Sequence, residues 1–274
     1  MLRSSSLLPV LGATLLAASS ASAQTRTWNF GDDTAPGACT QAVAGDRLGV
    51  GNAYNCSEQP SGTTTTLRVT AYTASGTSTS STFSASAVTP QGTGYGFGVG
   101  SEDEWGKYAS TTNADHALDN NAGGGADLLL LQFLTAPQQL KQVTLGWTSN
   151  DADFQVLRWI GANAPALAGQ SIVGAMTAGW QLVSTVGGID DGGVDHTYNV
   201  NAAGLSSSYW MISAYNAGFG TSAGFTPDTK ADRFKVLSVA ASTASSTVPE
   251  PSTYVMLAGG LAGLAAVARR RRLA

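Results

Sequence analysis

The chain has 274 residues, of which only 12% are charged, against roughly 25% in an average soluble protein. Setting aside Arg3, the four arginines near the C-terminus and Glu250 leaves 9 basic and 17 acidic residues between 24 and 248, a net of about −8; a nucleic-acid binder needs a basic face and is excluded. Two cysteines cannot build a cysteine-ligated zinc site, and two histidines leave little for a histidine-rich one.

At the N-terminus Arg3 precedes an apolar run over residues 7–18, and Ala21, Ser22 and Ala23 fit the small-x-small site of signal peptidase. The run is shorter than the roughly 20 apolar residues of a membrane span. Residues 1–23 therefore read as a secretory signal peptide, with Gln24 as the new N-terminus and an exported body. In that compartment Cys39 and Cys56 are expected to pair, and a disulfide closing such a loop is worth roughly 3 kcal/mol.

Seven segments of the body carry strand character: 64–73, 126–133, 142–147, 154–160, 180–186, 209–215 and 233–239. Each is short, rich in Val, Leu, Thr and aromatics, and bounded by Gly, Asn, Asp or Pro. Leu128, Leu129, Leu130 and Leu131 are apolar on both strand faces, which predicts a central strand covered on each side. Residues 148–151 read as a hairpin turn between two of these segments. No body segment sustains a 3.6-residue apolar period. The expectation is an all-β body over 24–239, an antiparallel β-sandwich of jelly-roll type. Residues 76–86 are Ser/Thr-rich, and the small residues of 240–247 read as a linker.

The end of the chain, 248–274, places Pro249, Glu250 and Pro251 ahead of an apolar stretch over 254–268, followed by Arg269, Arg270, Arg271 and Arg272. Fifteen helical residues rise about 22 Å, against a hydrocarbon core of about 30 Å, so a single transmembrane helix is expected only with help from Ser252, Thr253 and snorkelling arginines. The arginines would then face the cytoplasm. This ordered combination resembles the PEP-CTERM sorting signal of Gram-negative bacteria, a tail also labelled an ice-binding protein C-terminal domain in some family naming. The resemblance implies exosortase as a partner. It also implies an inner-membrane intermediate and delivery to the cell envelope or the extracellular matrix.

A longer resemblance runs through the body. Tyr95-Gly96-Phe97-Gly98-Val99, His116-Ala117-Leu118-Asp119-Asn120, the leucine strand after Asp127, and Val143-Thr144-Leu145-Gly146-Trp147 look like a family of exosortase-dependent surface proteins, with Phe97 where that family commonly has Leu. That resemblance implies location and offers no reaction.

Candidate chemistry is sparse. Asp115, Asp119, Asn120 and Asp127 surround a glycine-rich turn and offer oxygen donors of the kind calcium takes, while Asp and Asn are equally ordinary turn formers. Asp151 with Asp153, and Asp190, Asp191 and Asp195, form further acidic groups. Gly220-Thr221-Ser222-Ala223-Gly224 matches a nucleophile-elbow pattern, but both histidines precede Ser222 and no helix pattern follows it. Glu102, Asp103 and Glu104 read as a solvated loop rather than a glycosidase pair. Among Trp105, Trp147, Trp159, Trp180 and Trp210, most are expected in the core, with a sugar-stacking platform as the alternative. The reading is an exported, non-catalytic envelope protein associated with exopolysaccharide or biofilm. A carbohydrate-binding or calcium-stabilised adhesin is the alternative, and a secreted hydrolase the third.

Overall fold

The computed structural model describes residues 24–31, 39–46, 50–58, 65–100, 116–120, 125–149, 151–187, 196–244 and 251–272. The expected signal peptide, Glu102 to Trp105, Asp115, the acidic group at 190–195, Pro249 and Glu250 lie outside the described residues. The chain divides into two compact units, one of which, Ala23–Ala244, holds every described strand. The described strands are β1 (Thr25–Asn29), β2 (Cys39–Val43), β3 (Ala53–Ser57), β4 (Thr66–Ala74), β5 (Phe83–Pro90), β6 (Phe97–Gly100), β7 (Leu118–Asp119), β8 (Ala126–Phe133), β9 (Gln138–Thr148), β10 (Phe154–Trp159), β11 (Trp180–Val186), β12 (His196–Asn199), β13 (Tyr209–Ala214) and β14 (Arg233–Thr243).

The main hydrogen-bonded path runs β11-β10-β13-β8-β4-β5-β6-β14-β9-β12, and every strand pairing is antiparallel. The joint is β5. Its residues 83–86 pair with β4, and its residues 87–90 pair with β6. One strand thus belongs to both flanks, and the sheet curls into a nearly closed antiparallel barrel. This overturns the expected jelly-roll sandwich: two separate stacked sheets would need an edge where β5 instead changes partner in mid-strand. Among the described residues β9 and β10 do not pair with each other, as the expected hairpin at 148–151 requires. β9 pairs with β14 and β12, whereas β10 pairs with β11 and β13, so the intervening segment crosses from one flank to the other.

Strand alternation divides the leucines of β8. Leu129 and Leu131 enter the main core with Trp28, Phe97, Phe154, Trp210 and Phe234. Leu128 and Leu130 face a second cluster containing Leu157, Trp180, Met211 and Ile172. Each such leucine contributes about 1.5–3 kcal/mol on full burial. The second cluster is covered partly by a short helix, α1 (Ile172–Ala178), and a 3-10 turn, Ala217–Phe219. Ser171 caps α1 by accepting the Gly174 N–H at 3.1 Å, and Gly179, at φ 137°, ends it. Seven residues rich in Ala and Gly are too few to display a helical period, which is why the pattern alone did not show α1.

Cys39 and Cys56 face each other across β2 and β3 and are joined as a disulfide. Nearby, Arg26 Nη1 donates to Glu58 Oε2 at 3.0 Å, an ion pair in which Glu58 is almost fully buried. β14 continues through residues 240–243, which the sequence pattern gives to a linker; they pair with β1 and β9.

The other unit contributes a helix, α2 (Pro251–Arg272), which ends on Arg269, Arg270, Arg271 and Arg272. Among the described residues no helix is long and apolar enough to cross a membrane. The expected transmembrane helix, and with it membrane attachment through the C-terminus, is therefore overturned. Four of the 22 helical residues are charged and much of the remainder is Ala and Gly, which carry little apolar surface, so the length of the helix exceeds its hydrophobic length.

Candidate functional site

The end of β7, the first residue of β14, the crossover after β9 and the exit of β13 meet at one place. The meeting is enforced by pairing. Asp119 faces Arg233 across β7 and β14. Asp151 forms a bridge to Asp232, and its carbonyl accepts the Arg233 N–H at 2.8 Å, while the Tyr215 N–H donates to the Asp153 carbonyl at 3.0 Å. These contacts carry Asp151, Asp153 and Asp232, all buried, so that one carboxylate oxygen of each lies within 4.8 Å of the others.

The cluster is bound into the barrel by donors. Asp153 N–H donates to Asp232 Oδ1 at 2.8 Å. Asn120 donates through Nδ2 to Asp232 Oδ2 and to the Tyr215 carbonyl at 3.2 Å, and its Oδ1 accepts the Asp232 N–H at 3.0 Å. Three ionised carboxylates at this separation repel by roughly 3.5 kcal/mol per pair at an effective dielectric of about 20. Burial pushes the Asp232 carboxyl up to about 8; the Asp153 N–H opposes that rise, while the charges of Asp153, Asp151 and Asp228 add to it. Burial and the charges of Asp153 and Asp232 also raise the Tyr215 phenol. At neutral pH a proton on Asp232 relieves the repulsion. A divalent cation would do the same through oxygen donors, with one carboxylate oxygen from each of Asp151, Asp153 and Asp232 within reach. Three acids alone do not specify an ion.

The residues singled out for calcium are divided between two places. The Asp119 N–H donates to Asp127 Oδ2 at 3.4 Å, and Asp127 Oδ1 accepts from Thr73 Oγ1 at 2.5 Å. Asn120 instead joins Asp232. Asp232 itself was not legible as a partner, because a lone Asp before a strand resembles any turn residue and lies 79 positions from Asp153.

The remaining motif residues have structural partners. Ser222 Oγ accepts the Thr185 N–H at 2.8 Å, and the Ser222 N–H donates to Thr185 Oγ1 at 3.1 Å. The G-x-S-x-G segment is thus a clasp on strand β11, lying in irregular backbone rather than between a strand and a helix. Trp210 and Trp180 are core, and Trp147 lies over the fully buried Lys235, whose Nζ is 5.0 Å from the indole and 5.8 Å from the Tyr95 ring. Trp159 packs against Trp180 with ring centroids 5.5 Å apart and remains partly exposed.

The tail has a different character. Pro251 opens α2, a position where its missing N–H costs nothing, and the four arginines at the other end are exposed. The family described as the PEP-CTERM protein-sorting motif matches residues 247–272. Among curated proteins nothing matches the chain. The match covers the tail alone and assigns no chemistry to the barrel. It makes this a chain with a PEP-CTERM sorting motif, consistent with the exosortase-substrate family and with sorting to the cell envelope or the extracellular side.

Proposed function

We propose that the protein is a non-catalytic component of the cell surface, released by exosortase and held in extracellular polysaccharide or biofilm matrix. The observation that carries this reading is the sorting motif at 247–272, and the small-x-small site after residues 7–18 agrees with it by marking the chain for export through signal peptidase. The processing enzyme meets the chain at an inner-membrane stage in this reading, by capturing the tail and not through a spanning helix. The disulfide between Cys39 and Cys56 suits an oxidising destination.

The test is deletion of Pro249, Glu250 and Pro251 from the native chain, followed by fractionation of cells and matrix. The expected result is loss of the protein from the surface and matrix fractions, with precursor accumulating in the envelope. Undiminished surface display of the deletion variant would refute exosortase handling. A wild-type protein displayed at the surface but absent from the polysaccharide fraction would refute the matrix assignment alone.

A further inference from the structure

A cleft of about 510 Å³ opens where β10 leaves the barrel and β13 enters it, and none of the residues lining it carries a charge. We propose that this cleft binds a segment of neutral polysaccharide, stacked on Tyr209 beside the wall that Trp159 and its loop form; the proposal rests on the matrix association above and names the surface responsible for it.

The walls are held by specific contacts. Trp159 Nε1–H donates to the Asn163 carbonyl at 2.6 Å, folding the 160–163 loop over the indole. A Cβ on Gly161 would lie 2.2 Å from Trp159 Cζ2, so only glycine lets the loop backbone run against the ring. On the other wall the buried Ser207 Oγ lies 2.7 Å from the Trp159 carbonyl and 2.8 Å from that of Tyr209, and accepts the Tyr209 N–H at 3.0 Å. Gln132 Nε2 donates to Tyr209 Oη at 3.1 Å, which orients the phenol. Two partly exposed aromatic side chains are therefore fixed before any ligand arrives, which reduces the ordering cost of binding.

A pyranose ring presents C–H groups on its faces and hydroxyls around its rim. Tyr209 supplies an apolar surface for a face, and Trp159, held under its loop and against Trp180, forms the wall beside it. Ser206, Ser208 and Asn163, on the same cleft, supply uncharged donors and acceptors for the rim. The volume falls within the usual range of roughly 300–1,000 Å³ for small-ligand sites. Charge selects the class. The cleft has no cation to pair with a uronate, sulfate or phosphate, and the body carries a net of about −8, which repels polyanions.

The experiment uses the full chain and neutral hexasaccharides of β-1,4-linked glucose, N-acetylglucosamine and mannose, with a polygalacturonate oligomer as the anionic contrast. Binding is followed by tryptophan fluorescence and calorimetry. Ile160 is 51% exposed, so Ile160→Arg can obstruct the cleft without entering the core, and Ala162→Arg on the same rim serves as the second obstruction. Saturable binding of at least one neutral hexasaccharide, weakened tenfold or more by both variants at unchanged unfolding midpoint, is the expected result. Undiminished binding by the variants, preference for the anionic oligomer, or no binding at all would overturn the proposal. Retention of Ile160→Arg in the polysaccharide fraction of cells separates the two readings: retained protein leaves matrix association intact and sinks the cleft, whereas wild-type protein that binds hexasaccharides but is missing from that fraction sinks the association.

Discussion

The Asp232 carboxyl titrates at about 8 in the fold, against roughly 3.9 for an unperturbed Asp. Between those values the folded protein holds a proton that the unfolded chain has released. Stability must therefore fall as pH rises through this window and level off above about pH 8. Fully expressed, the difference corresponds to on the order of 5 kcal/mol; local relaxation and an effective dielectric near 20 reduce it to a few kcal/mol. Asp232→Asn removes the titration while keeping an oxygen for the Asp153 N–H, which the wild-type carboxylate accepts at 2.8 Å. The assay is denaturant unfolding of both proteins, followed by tryptophan fluorescence at intervals from about pH 5 to about pH 9. The wild type is expected to lose a few kcal/mol across that range relative to Asp232→Asn, whose profile should be nearly flat by comparison. Parallel profiles would refute the protonated cluster. Calcium provides a control at the alkaline end: an ion held by Asp151, Asp153 and Asp232 would flatten the wild-type slope and leave the variant unaffected.

Three further predictions concern the barrel. Replacing Cys39 and Cys56 together by serine should lower stability by roughly 3 kcal/mol, read as a lower unfolding midpoint in the absence of reductant; an unchanged midpoint would contradict a stabilising staple between β2 and β3. Gly98→Ala should be severely destabilising, by about 4 kcal/mol or more, because its Cβ would lie 1.5 Å from the His116 carbonyl oxygen; a near-native melting temperature would show that β6 and the 116–119 segment are not in close contact. Glu58→Ala removes the partner of the partly buried Arg26 and should cost roughly 1–3 kcal/mol, whereas Glu58→Gln should recover part of that loss in the same thermal melt, since it retains an acceptor.

Local chemistry made several features readable from the chain alone. The leucine run of β8 requires cover on two faces because alternate side chains of a strand point oppositely, and the two leucine pairs do enter different clusters. The cysteine pair and the sorting motif are legible for a similar reason: each is a short pattern whose chemistry depends on few neighbours. Other features were decided by pairing between distant segments. β5 is not among the expected strands, and its two halves bond to different partners and turn a possible sandwich into a barrel. Residues 148–151 have turn composition, and the register of β9 along β14 makes them a crossover instead. The acidic cluster takes Asn120 from one expected group and Asp151 and Asp153 from another, and adds Asp232, which no spacing rule connects to them. The neutral cleft likewise joins the end of β10 to the approach to β13. Sequence patterns report which side chains suit a strand, a turn or a tail; which carboxylates and aromatic rings become neighbours is set by strand register, a property of pairs of segments and not of either one.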